Sequence, residues 1–202
     1  MRALALALIL ALSAVQVLAA APQEVAADLQ QVCVTIRSGD SIQGSGVVVT
    51  RPVDGQSANF VLTAYHVVQN LREVKDVITA DGQSRKQVVY RDAAVTRELR
   101  QGTRTVGRTL VDVEVLNGDP ERDLALLRLR ALGVFAKGIE FYLDEKAPGP
   151  GSAVFHCASP GGEQNAASVT GGQVCQLGRI FEREGFGKGE YDQCDTAALP
   201  GS

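Results

Sequence analysis

Beyond residue 30 the apolar positions fall into short β-branched runs: Val32–Ile36, Gly46–Thr50, Phe60–Thr63, Val74–Thr79, Val88–Arg91, Leu110–Leu116, Leu124–Leu129, Ser152–Cys157 and Gln173–Ile180. Runs of this length, rich in Val, Ile and Thr and bounded by turn residues, predict strands. The turns carry the right chemistry. Ser38-Gly39-Asp40, Asp54-Gly55, Asp81-Gly82 and Asn117-Gly118 each separate two apolar runs with residues that tolerate positive φ. Many short strands with regular turns predict an all-β sandwich or barrel. Helical patterning is brief, clearest over Tyr65–Asn70 directly after a strand. The joint between two halves is expected over Gly133–Ala147, after which Pro148-Gly149-Pro150-Gly151 restarts strand-like patterning. Arg97, Arg100, Arg104 and Arg108 fall near helical spacing, but Gly102 and Gly107 interrupt any such helix, so the stretch reads as a solvated surface insertion.

The first 21 residues follow a different pattern. Met1-Arg2 supplies one positive charge, and a Leu/Ala/Val run from Ala3 to Ala19 ends in small residues before Pro22. The run is too short for a membrane span and has no stop-transfer charges behind it, so residues 1–21 read as a signal peptide cleaved after Ala19 or Ala21. The expected location is therefore periplasmic or secreted, with no membrane association once the leader is removed.

Composition narrows the class. With 45% hydrophobic and 21% charged residues the chain can bury a core, which excludes disorder. Twenty basic against 23 acidic side chains excludes binding nucleic acid by bulk charge. Export makes the four cysteines informative: Cys33, Cys157, Cys175 and Cys194 predict two disulfides, and four cysteines allow three pairings. Cys175 and Cys194 flank a hairpin-like excursion over Arg179–Glu190, which favours that pair and leaves Cys33 with Cys157. A zinc site from His156, Cys157, Cys175 and Cys194 lacks the spacing that forms a tetrahedral ligand set.

Only two histidines occur, His66 and His156. His66 ends an apolar strand as the chain turns into a short helix. Asp123 stands immediately before the apolar run Leu124-Ala125-Leu126-Leu127, where its carboxylate can accept the Nδ1 proton of an imidazole; Asp119 competes for that part.

Taken in order, Gly44-Ser45-Gly46-Val47-Val48-Val49, Val61-Leu62-Thr63-Ala64-Tyr65-His66-Val67-Val68, Asp123-Leu124-Ala125-Leu126-Leu127 and Cys194-Asp195-Thr196-Ala197-Ala198-Leu199-Pro200-Gly201-Ser202 resemble the landmarks of the trypsin-like serine peptidases, nearest in kind to bacterial exported HtrA and glutamyl-endopeptidase members. The resemblance covers residues 30–202. It implies an all-β fold of two six-stranded antiparallel β-barrels of the chymotrypsin type: an N-terminal barrel over residues 22–136 carrying His and Asp, and an incomplete one over 137–202 ending at the oxyanion loop. It implies His66 as general base, Asp123 as its orienting acid and Gly201 as one oxyanion-hole donor. Matching Gly201 to the first glycine of Gly-x-Ser-Gly-Gly makes Ser202 the variable position and puts the nucleophile one residue further on, so these 202 residues are expected not to turn over substrate. The substrate class is polypeptide, and no cofactor is implied. Tyr65 stands where the family has a small residue. Ala197 stands where trypsin has the acid that selects basic residues, so such a preference is not implied. The alternatives are a non-catalytic secreted binding module on the same barrels, and a structural β domain in which His66 and Asp123 lie apart.

Overall fold

The first strand, β1 (Cys33–Ser38), is buried on both faces. Val34 and Ile36 point into a barrel, and the alternate residues Cys33 and Thr35 point outward yet are also covered. This strand therefore sits between two bodies. A computed structural model of the chain describes residues 23–39, 42–143, 148–183 and 187–198. The leader 1–21, Gly201 and Ser202 lie outside the described residues.

Six antiparallel strands close the first body: β1, β2 (Ile42–Val53), β3 (Gln56–Thr63), β8 (Leu124–Leu129), β7 (Arg104–Asp119) and β6 (Ala93–Gln101), in that spatial order, with β1 pairing with both β2 and β6. Asp54 (φ +50°) and Gly55 (φ +77°) make the β2–β3 turn, both at positive φ as that dipeptide predicts. Inward positions Val34, Ile36, Val48, Val61, Val95, Val113, Leu127 and Leu129 are at most 2% exposed. Each such side chain contributes about 1.5–3 kcal/mol on leaving water. Phe135, beyond β8, joins this core, and the Asn59 side chain bonds both its N–H (3.1 Å) and its carbonyl (3.2 Å). The hairpin β4 (Arg72–Ile78) and β5 (Ser84–Tyr90) forms a separate two-stranded sheet, with Val74, Val77, Ile78 and Val88 exposed.

The arginine stretch is not a surface insertion. It supplies β6 and the start of β7, both staves of the barrel. Arg97 lays its guanidinium 4.6 Å from the centre of the Phe135 ring and donates to the Val134 carbonyl. Glu98 pairs with Arg100 (3.0 Å) and Arg108 (3.7 Å). These pairings allow polar side chains to occupy sheared barrel positions that sequence patterning reads as loop.

The second body is a three-stranded antiparallel sheet in the order β11 (Gly187–Cys194), β10 (Ser168–Arg183), β9 (Ala153–Ala158). It corresponds to the incomplete second barrel. The first part of β10 pairs with β9 and the remainder with β11. A helix over residues 23–32, α1, precedes β1 and ties to this half through Gln30 Nε2 donating to the Ala167 carbonyl (2.9 Å).

The seam between the bodies is polar. Thr35 Oγ1 donates to Ser159 Oγ (2.7 Å), and the Ser159 N–H donates to Ser45 Oγ (2.7 Å). Thr96 Oγ1 donates to Glu163 Oε1 (2.7 Å), the Glu163 N–H donates to Gln43 Oε1 (2.9 Å), and the Arg108 guanidinium donates to the Glu163 carbonyl (2.6 Å). Ser159-Pro160-Gly161-Gly162 is thus a turn pressed against the first barrel, with Gly161 and Gly162 at φ +70° and +86°. All four cysteines are thiols in the structure. Cys33 meets Cys157 across the seam, whereas Cys175 sits in a register shift of β10 beside Cys194 of β11.

Candidate active site

The strand β3 ends at Thr63, whose hydroxyl donates to the Ser45 carbonyl (2.7 Å), and the chain turns into α2 (Tyr65–Val68). Four residues cannot hold a helix by their own hydrogen bonds, so tertiary contacts must hold this one. Val67 and Val68 are buried in the barrel core. Gly44 provides the seat: a Cβ there would fall 2.5 Å from Val67 Cγ2.

Asp123 provides the other restraint. It stands at φ +52°, a left-handed conformation that Asp tolerates better than most residues, immediately before β8. Its carbonyl accepts the Tyr65 N–H (3.1 Å), and its Oδ1 accepts the His66 N–H (2.9 Å). Both donors belong to the first turn of α2, where N–H groups lack intrahelical partners and the N-cap residue Ala64 has no side-chain acceptor. Its other oxygen, Oδ2, lies 2.8 Å from His66 Nδ1. A carboxylate only accepts, so Nδ1 carries a proton, and it is in the neutral ring that Nε2 presents its lone pair. Asp123 thereby positions the helix and the ring at once. Its side chain is 18% exposed and that of His66 is 59% exposed, so the acid is sheltered while the imidazole opens to solvent.

Asp119 is engaged elsewhere. Its Oδ1 accepts the N–H groups of Glu121 (3.0 Å) and Arg122 (3.1 Å), closing the turn that delivers Asp123. Tyr65 does not crowd its neighbours, because its ring lies over Gly118, where a Cβ would fall 2.5 Å from Tyr65 Cδ2. Tyr65 and Tyr90 hydrogen-bond behind the histidine, and burial followed by the nearby Tyr65 pushes the Tyr90 hydroxyl above its usual range. A cavity of about 710 Å³ opens on this rear side, lined by Tyr65, Tyr90, Arg72, Arg130 and Gly118. Neither Gly44 nor Gly118 is marked as part of the site by residue type: in the sequence Gly44 stands out only within the family landmark Gly44–Val49, and Gly118 only in an expected turn.

His156 lies on β9 across from Thr170, whose hydroxyl donates to the Ala197 carbonyl (3.0 Å). Asp195 Oδ1 accepts the Gln173 N–H (2.6 Å), and the Asp195 N–H donates to the Gln173 carbonyl (3.2 Å). The segment leading toward Gly201 is therefore laid along β10. Among the described residues no three of His, Cys, Asp and Glu gather into a cluster that could hold a metal.

A closed antiparallel barrel that presents a carboxylate-bound histidine, followed by a second antiparallel sheet, defines the chymotrypsin-type peptidases. The family model of the trypsin-like peptidase domain matches residues 44–202, and this chain belongs to that family. Solved structures agree at the level of fold. The crystal structure of Deg5 is 22% identical, with a TM-score of 0.56 over 85% of this chain and 71% of that one. The MamO protease domain from Magnetospirillum magneticum, in its apo form, is 18% identical, with a TM-score of 0.52 over 84% of this chain and 73% of that one. The Rv3671c protease in its inactive form is 16% identical, with a TM-score of 0.56 over 87% of this chain and 70% of that one. No curated protein matches the chain by sequence.

Proposed function

We propose that the chain carries the base and the orienting acid of a serine endopeptidase that acts on polypeptides after export to the periplasm or beyond. The observation that supports this reading is the double grip of Asp123 on His66, at Nδ1 and at the backbone N–H. In the reaction, His66 Nε2 takes the proton of a serine hydroxyl as the serine oxygen attacks the scissile carbonyl carbon. Asp123 stabilises the imidazolium so formed. The same proton then passes to the departing amine as the C–N bond breaks, leaving an acyl-enzyme, and water repeats the sequence to release the acid. In this reading, which rests on the resemblance of Cys194–Ser202 to the family motif, the nucleophile is the residue that follows Ser202 and the Gly201 N–H donates to the oxyanion.

The full-length protein from its complete gene tests this with a fluorescent casein substrate and a fluorophosphonate probe. Hydrolysis and probe labelling are expected in the parent, and His66→Ala is expected to lower the rate by about six orders of magnitude. An unchanged rate in that variant, or a folded parent that neither hydrolyses nor labels, overturns the proposal; the second result would point to a binding module.

A further inference from the structure

The outward face of β1 and the inward face of the β9 end meet in a repeating register. Cys33 faces Cys157 and Thr35 faces Ser159, two contacts with the same sequence offset of 124 residues. Advancing two residues on β1 advances two on the partner segment, so the pairs are successive rungs of one side-chain ladder. Cys33 Sγ lies 3.6 Å from the Cys157 carbonyl oxygen, and the two thiols hydrogen-bond to each other. Ser159, fully buried, also reaches the Cys33 thiol. Two sulfurs held together by the strands that join the two bodies of the molecule are more than a packing detail.

We propose that Cys33 and Cys157 form a redox pair whose disulfide locks the His66-bearing barrel to the second sheet. The two thiols differ in a way that sets the order of events. Donation of its hydrogen to Cys157, together with burial, pushes the Cys33 thiol up. The hydrogen bond received from Cys33, with Arg100 nearby, draws the Cys157 thiol down against the effect of its own burial. Cys157 is also the more exposed of the two. It is therefore the sulfur that attacks an incoming disulfide, from a protein or from oxidised glutathione, forming a mixed disulfide and releasing one thiolate of the oxidant. Cys33 gives up its proton and attacks the Cys157 sulfur, which expels the second thiolate. Two electrons and two protons leave the pair, and the oxidant ends as two thiols. The bond closes a loop of more than one hundred residues, so its largest effect falls on the unfolded chain, and reduction loosens the seam without removing a catalytic group.

The full-length protein, isolated under oxidising conditions, is denatured, alkylated without reduction, digested and mapped by mass spectrometry. The expected product is a peptide containing Cys33 joined to one containing Cys157, lost on reduction. Reduction is expected to lower the thermal midpoint of the parent by about 5–15 °C, and that of Cys33→Ala/Cys157→Ala by less, only by whatever a Cys175–Cys194 bond contributes. Alkylation of both cysteines in the oxidised sample, or linkage of either to Cys175 or Cys194, overturns the proposal. If the double variant does not fold, the peptide map of the parent decides. The map does not involve catalysis, so it stands or falls separately from the protease reading.

Discussion

Asp123 performs three tasks with one side chain and one carbonyl: it accepts the first-turn N–H groups of α2, orients the imidazole and selects its tautomer. Removing its charge while keeping its shape separates these tasks. Asp123→Asn in the full-length protein is expected to retain the fold but favour the wrong tautomer, lowering kcat by about four orders of magnitude in a peptide-hydrolysis assay. The tyrosine before the histidine makes a different prediction. Because the Tyr65 ring fills the space left by Gly118, Gly118→Ala is expected to cost about 1–3 kcal/mol by overpacking. Adding Tyr65→Ala should relieve the clash, so the double variant is more stable than the sum of the single effects, as measured by denaturant unfolding. Additive losses would show that the ring and the glycine do not share that space.

Among the elements, β6 was the least legible. Its inward residues Ala93 and Val95 give two turns of alternation, and then Arg97, Glu98 and Arg100 break the pattern. Those polar groups belong in the strand because the structure supplies partners: an aromatic face for Arg97 and two guanidinium groups for Glu98. No local rule reveals that Phe135, nearly forty residues further on, waits beneath Arg97. Arg97→Ala is expected to lower stability by about 1–2 kcal/mol, and Arg97→Met to recover only the part due to packing, as read from urea midpoints. The strand β8, whose patterning is undisturbed, was legible throughout, since alternate burial on a closed barrel leaves its mark on each residue; in β3 only the apolar half Phe60–Thr63 was legible, because Gln56-Ser57-Ala58-Asn59 carries too few apolar residues to read as a strand. The four-residue helix α2 was legible only as a short helical stretch after a strand; its stability comes from Val67 against Gly44 and from Asp123, both remote in sequence.

At the scale of the whole molecule, the two bodies are joined by hydrogen-bonded polar groups rather than by a continuous apolar core. Ser159 is central: it accepts from Thr35 and donates its N–H to Ser45. Ser159→Ala leaves the buried Thr35 hydroxyl without its acceptor and is expected to cost about 1–3 kcal/mol. Replacing the donor as well, in Thr35→Val/Ser159→Ala, removes the unmet hydrogen bond and is expected to restore most of the thermal midpoint. If the pair of changes is as harmful as Ser159→Ala alone, the seam depends on Ser159 in some other way. A seam of this kind has a direct bearing on the proposed chemistry, because the base and its acid stand on the barrel while the segment running toward Gly201 is laid along β10.

Strand periodicity, the turns at Gly39, Asp54-Gly55 and Gly82, and the order of His66 before Asp123 were settled by the amino-acid sequence itself, because burial on alternate faces and positive φ at turns constrain residue type position by position; Asn117-Gly118, expected as a turn, instead continues β7 against β8. The residues alone left Asp119 as a competitor of Asp123 until the family resemblance favoured the latter, and they could not foresee that Gly118 makes room for Tyr65 or show that the arginine stretch is part of the barrel. Those outcomes depend on which distant groups arrive next to one another, and that is fixed only when the barrel closes and brings residues 66 and 123 within 2.8 Å.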